Sequence, residues 1–154
     1  MVLAALVLFS LLVINVNRSL SSSEMQTNES EYTGTATAVG QSVMHTISNM
    51  AFDQGAVNNP AFNYDILTSP DSLGPESGET VSTYNDVDDY NNYADSVSTP
   101  RSDFYNYRVL VNYVDDDNFK ANINSKSHTK RIEVIVTSKF MAPDTVRLYY
   151  YKSY

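Results

Sequence analysis

The chain has 154 residues, with 18 acids against 10 bases and a formal charge of −8. That balance excludes a nucleic-acid binder, which needs a basic face for the phosphates. Cys is absent, so a disulfide framework, a thiol nucleophile and a thiolate metal site are excluded as well.

The first predicted element begins MVLAALVLFSLLVINVNRS. It is apolar from Met1 to Val16 except at Ser10 and Asn15, and its first charge is Arg18. A signal peptide would open with Lys or Arg and end at a small-residue cleavage site. No base precedes this run, and Asn17-Arg18-Ser19 is a poor cleavage site. A transmembrane helix needs about 20 apolar residues, and Met1 to Val16 is shorter. The reading that fits is a helix that first sits in a membrane and later packs against copies of itself. Met1 reads equally as an initiator or as the first residue left after a leader is removed.

No Pro occurs before Pro60, so the helix can run on. Beyond Met25, the positions Tyr32, Ala36, Val39, Val43, Ile47 and Met50 recur at steps of three and four, one face of an α-helix. Ser, Thr, Asn and Gln fill the other face. The helix is therefore apolar all round at its start and one-sided later. Gly34 and Gly40 inside it read as points of close packing against a sheet. Gly55, followed by Asn58-Asn59-Pro60, predicts a stop near Gln54.

Residues 55–103 hold four of the five Pro and read as loops around a small strand at Phe62 to Leu67. Within them, Asn85-Asp86-Val87-Asp88-Asp89-Tyr90-Asn91-Asn92-Tyr93 concentrates oxygen ligands. Asp86, Asp88, Asp89 and Asn91 are weak Ca²⁺ candidates, because hard cations take several oxygens from a flexible loop. The spacing is not that of an EF-hand, and a solvated turn whose Asp and Asn cap their own backbone reads equally well. Asp115-Asp116-Asp117-Asn118 reads as such a turn. No other cofactor is expected.

Three strands follow, at Phe104 to Val114, Arg131 to Phe140 and Thr145 to Lys152. Each alternates with period two and is rich in β-branched and aromatic residues. The short Met141-Ala142-Pro143-Asp144 link predicts a hairpin, and an antiparallel meander is the simplest result. Its inner face is expected to cover the stripe from Tyr32 to Met50, leaving Tyr149 and Tyr151 partly exposed. The expected class is α+β: a long helix over 1–54, with 1–16 as its hydrophobic segment, and a head over 55–154 with loops at 55–103 and a sheet at 104–154. No nucleophile motif, phosphate loop or metal spacing accompanies His45 or His128, so no enzyme is expected.

The apolar helix, its amphipathic continuation to Met50-Ala51-Phe52-Asp53, NDVDDYNNY, and the strands YRVLVNYV, KRIEVIVTSKF and VRLYYY together resemble the type IV pilin superfamily, including minor pilins and secretion pseudopilins. The fifth residue is Ala5, where that family usually carries Glu. The resemblance implies an extracellular filament subunit that polymerises through its helix. Val2, Leu3, Leu6, Val7, Phe9, Leu12 and Val13 would form the filament core. Its implied partners are copies of itself, the inner membrane before assembly, and the pilus assembly machinery. The alternatives are a single-pass membrane-anchored extracellular binding module and a secretion-system pseudopilin.

Overall fold

A computed structural model describes residues 2–58, 63–99, 104–141 and 145–154; the side chains at positions 2–5, 7, 8, 25, 28 and 58 are not described. The class is α+β. Helix α1 spans Val2–Ser48, a length of about 70 Å at the α-helical rise. Helix α2 is the short Gln54–Asn58. Four strands follow: β1 Ala94–Ser98, β2 Phe104–Tyr113, β3 Thr129–Thr137 and β4 Val146–Ser153. They form one antiparallel meander in the order β1-β2-β3-β4.

The polar face of α1 is rich in Ser and Thr, which compete with helical hydrogen bonds when free. Here they bond back into the helix: Thr27 to Ser23 O, Thr35 to Glu31 O, Thr37 to Thr33 O and Thr46 to Ser42 O. The second half of α1 lies on β3 and β4. Ala36 and Ile47 are fully buried there with Val109, Val111, Ile132, Val134 and Val136, and Tyr32, Val39, Val43 and Met44 flank them. Gly40 is the point of closest approach: a Cβ on it would stand 2.7 Å from Leu148 Cδ1. Gly34 differs from the expectation, since it is exposed and a Cβ there would meet nothing within 4 Å.

The helix stops at Ser48, six residues before the expected Gln54. The Asn49 side chain donates to His45 O at 2.7 Å, and Lys152 Nζ donates to Ser48 O at 2.9 Å, so carbonyls of the last turn find partners outside the helix. The chain then leaves to form a parallel bridge in which Ala51 N donates to Asn85 O and Val87 N to Ala51 O. Gly55 is no helix C-cap. It is the second residue of α2, and a Cβ on it would collide with Ile66 O.

Two further expectations are corrected. Tyr64–Ile66 is a 3₁₀ turn and not a strand, with Asn63 Oδ1 accepting from Asp65 N at 2.9 Å; Phe62 lies outside the described residues. The sheet also begins before residue 104, because β1 arises inside the predicted loop region. Its residues ADSVS are all exposed, so they lack the alternation that marks a half-buried strand. The other three strands lie within a few residues of their predicted spans. Tyr149 and Tyr151 are 50% and 40% exposed on the outer face, as expected.

Candidate functional site

Two features stand apart from an ordinary core. The first is the uncovered half of α1. Every described side chain from Leu6 to Glu31 is exposed. Leu6, Phe9, Leu12, Val13 and Leu20 are among them, with Phe9 at 67%. Of the predicted assembly residues, Leu6, Phe9, Leu12 and Val13 are thus without cover in the monomer; the side chains of Val2, Leu3 and Val7 lie outside the described set. Burying such side chains is worth roughly 1.5–3 kcal/mol each, so a row left in water is a strong drive to find a partner surface. Over the described residues, no helix is long and apolar enough to cross a membrane.

The second feature is the acidic loop, which does not behave as a solvated turn. Asp86, Asp88 and Asp89 are buried, and so is Asp53. Asp86 Oδ1 accepts from Asp88 N at 2.7 Å and Asp89 N at 3.3 Å. In return, Asp89 Oδ2 accepts from Asn85 N at 2.8 Å and Asp86 N at 3.2 Å. Asp86 and Asp89, three residues apart, thus hold each other's amides in the manner of a capping box, one residue ahead of Val87, the N-cap of the 3₁₀ turn Asp88–Tyr90.

At its centre stands Lys130, fully buried on β3. Its Nζ donates to Asp88 Oδ1 at 2.6 Å, Asp53 Oδ2 at 2.8 Å and Phe52 O at 2.9 Å, and lies over the rings of Phe52 and Tyr113. Tyr113 Oη donates to Thr68 O at 2.9 Å beside Asp53. Burial alone would raise the Asp53 pKa. Lys130 and the Thr68 and Gly55 amides outweigh it and hold the carboxyl below its ordinary value. Asp88 goes the other way: burial pushes it up to about 8, against the pull of Lys130. Asp86 is pushed to about 6 by burial and by Asp89. Carboxylate oxygens of Asp53, Asp86 and Asp88 converge within 4.8 Å, the spacing of a metal site. The Lys130 ammonium already holds two of the three, and a second cation there would be repelled at close range. This cluster is a buried ionic clasp tying the end of α1, the acidic turn and β3 together.

Asp89 belongs to a different group. Its carboxylate converges within 4.8 Å with those of Glu76 and Glu79. Glu79 N donates to Glu76 O at 3.0 Å, closing a turn with Gly78 at φ +93°, the backbone that the third position of a type II turn requires. The turn brings both Glu side chains to one mouth. Burial and the Glu79 carboxyl push Glu76 up to about 7, while Glu79, in contact with it, is lowered.

Asn91, the fourth predicted Ca²⁺ ligand, is not in either group. Its Nδ2 donates to Leu73 O at 2.9 Å and its Oδ1 accepts from Val111 N at 3.0 Å, so it fastens the turn to β2. Asp115 Oδ1 accepts from Asp117 N and Asn118 N, the self-capped turn expected there. His45 is exposed, and His128 Nδ1 lies 3.1 Å from Asp116 Oδ2.

Lys130, Asp53, Glu76 and Glu79 were not singled out by the sequence reading. Lys130 carried a signal, since it falls in phase with Ile132, Val134 and Val136 on the buried face of β3. Glu76 and Glu79 carried a weaker one, in a Pro-Glu-Ser-Gly-Glu turn. Comparison with protein-family models, curated proteins and solved structures finds no match to this chain.

Proposed function

We propose that this protein is the structural subunit of an extracellular, type IV pilus-like helical filament, and that it polymerises through the apolar half of α1. The observation that carries this reading is the division of one continuous helix at about Tyr32. Beyond it, the helix is cemented to β3 and β4. Before it, Phe9, Leu11, Leu12 and Ile14, which point to different sides of the helix at about 100° per residue, all face water. A surface helix of a monomer needs only one apolar stripe. Apolar residues around the whole circumference need cover on all sides, which a bundle of identical helices supplies.

The same row would shelter against the membrane before assembly. The alternative is a single-pass membrane-anchored extracellular binding module, in which lipid and not copies of the chain would cover the same row. The head then forms the filament exterior, with the Tyr149 and Tyr151 face and the −8 charge of the chain suited to solvent. The function is assembly and not catalysis.

Electron microscopy of material sheared from cells expressing the chain tests this directly. Helical filaments that contain the chain are expected, and they should be lost when Leu6→Asp and Phe9→Asp are combined, which would bury unpaired charges. Filaments that persist in the double variant would remove α1 from the filament core.

A further inference from the structure

The Glu76–Glu79–Asp89 group carries an inference that does not depend on assembly. The geometry points to a binding site for one hard divalent cation, Ca²⁺, at the mouth formed by the Glu76–Glu79 turn and the Asp89 side chain. Carboxylate oxygens of the three residues lie within 4.8 Å of one another. Among the described residues, no Lys, Arg or His pairs with any of them, in contrast to the Asp53–Asp88 cluster with its Lys130.

Two buried atoms point to a missing ligand. Asp89 is 1% exposed, yet its Oδ1 has no hydrogen-bond partner. The Asn85 side-chain oxygen is likewise buried and unpartnered, while its amide nitrogen lies 3.2 Å from Glu79 Oε1. A buried oxygen of either kind is costly when unpaired. A cation would satisfy the Asp89 oxygen and neutralise three converging acids. Rotating the Asn85 amide by half a turn would present its oxygen toward the Glu79 side and add a neutral ligand. Three carboxylates, an amide oxygen and water supply the all-oxygen, six-to-eight-coordinate shell that Ca²⁺ takes. Mg²⁺ demands a tighter octahedron and fits a surface turn closed by Gly78 less well.

Asp89 sits in the same turn as Asp88, so the cation would fix the turn that presents Asp88 to Lys130. Tyr84 stands next to Asn85 in the chain. It therefore serves as an optical antenna.

The test is Tb³⁺ luminescence of the full chain in detergent micelles, excited through tyrosine, followed by displacement with CaCl₂ alone. Saturable emission that Ca²⁺ displaces is expected. Glu76→Gln combined with Glu79→Gln should weaken Tb³⁺ and Ca²⁺ by about tenfold or more, since ligand charge sets affinity. Asp117→Asn, in the self-capped turn, should leave both unchanged. Absence of saturable emission from the wild-type chain would overturn the site, as would emission that Ca²⁺ does not displace or wild-type affinity in the double variant. The wild-type titration decides the matter even if the variant misfolds.

Discussion

The Lys130 ammonium meets Asp88 Oδ1 at 2.6 Å in a place with no access to solvent, and these two residues lie 42 positions apart in the chain. A buried ion pair is weak as a net source of stability, but breaking one leaves an uncompensated charge. Lys130→Met is therefore expected to cost about 3–5 kcal/mol. Combining it with Asp53→Asn should recover a large part of that loss, since Asp53 is the acid that Lys130 holds charged and its orphaned carboxylate is removed with it. Denaturant unfolding followed through the tyrosine signal of the head measures both.

Asp53 gives that cluster a pH dependence of defined sign. Its folded pKa lies below the ordinary 3.8, so the stability it contributes is present above that value and is lost as pH falls through the folded pKa. Asp53→Asn should destabilise the protein at pH 6, and the gap between variant and wild type should close as pH falls below about 4. A gap that widened in acid would mean that Asp53 is held protonated in the folded state.

Much of the fold is legible in the sequence because periodicity is a local property. The steps from Tyr32 to Met50 and the alternation in β2, β3 and β4 follow directly from which faces must be buried. The misreadings share another cause, which is distance. The end of α1 at Ser48 depends on Lys152 and on the bridge between Ala51 and Asp86. The acids of the 85–89 turn look solvated because their cation comes from β3 and two of their neighbours come from the Glu76–Glu79 turn. β1 has no alternation to read, since it is exposed on both faces.

The two helical glycines should respond in opposite directions. Gly34 has open space around its Cβ position, so Gly34→Ala should stabilise by about 0.5–1 kcal/mol through helix propensity. Gly40→Val should destabilise, because its branched side chain enters the space held by Leu148 and Val136. Thermal unfolding of the two variants side by side separates them.

Asn91 should act on stability and not on cation affinity. It bridges Leu73 O and Val111 N, and its loss removes both bonds at once. Asn91→Ala should cost about 1–3 kcal/mol and leave Tb³⁺ binding at Glu76, Glu79 and Asp89 within twofold of wild type. A loss of binding with unchanged stability would place Asn91 among the ligands after all.

The central claim is that the apolar half of α1 is buried among copies of itself. The chain has no Cys, so single cysteines report without background. Leu12→Cys and Asp117→Cys chains would be assembled into filaments and exposed to a charged, membrane-impermeant maleimide, before and after dissociation in detergent. The account predicts that Asp117→Cys reacts in both states, and that Leu12→Cys is protected in the filament and reacts on dissociation. Equal labelling of Leu12→Cys and Asp117→Cys in intact filaments would contradict it.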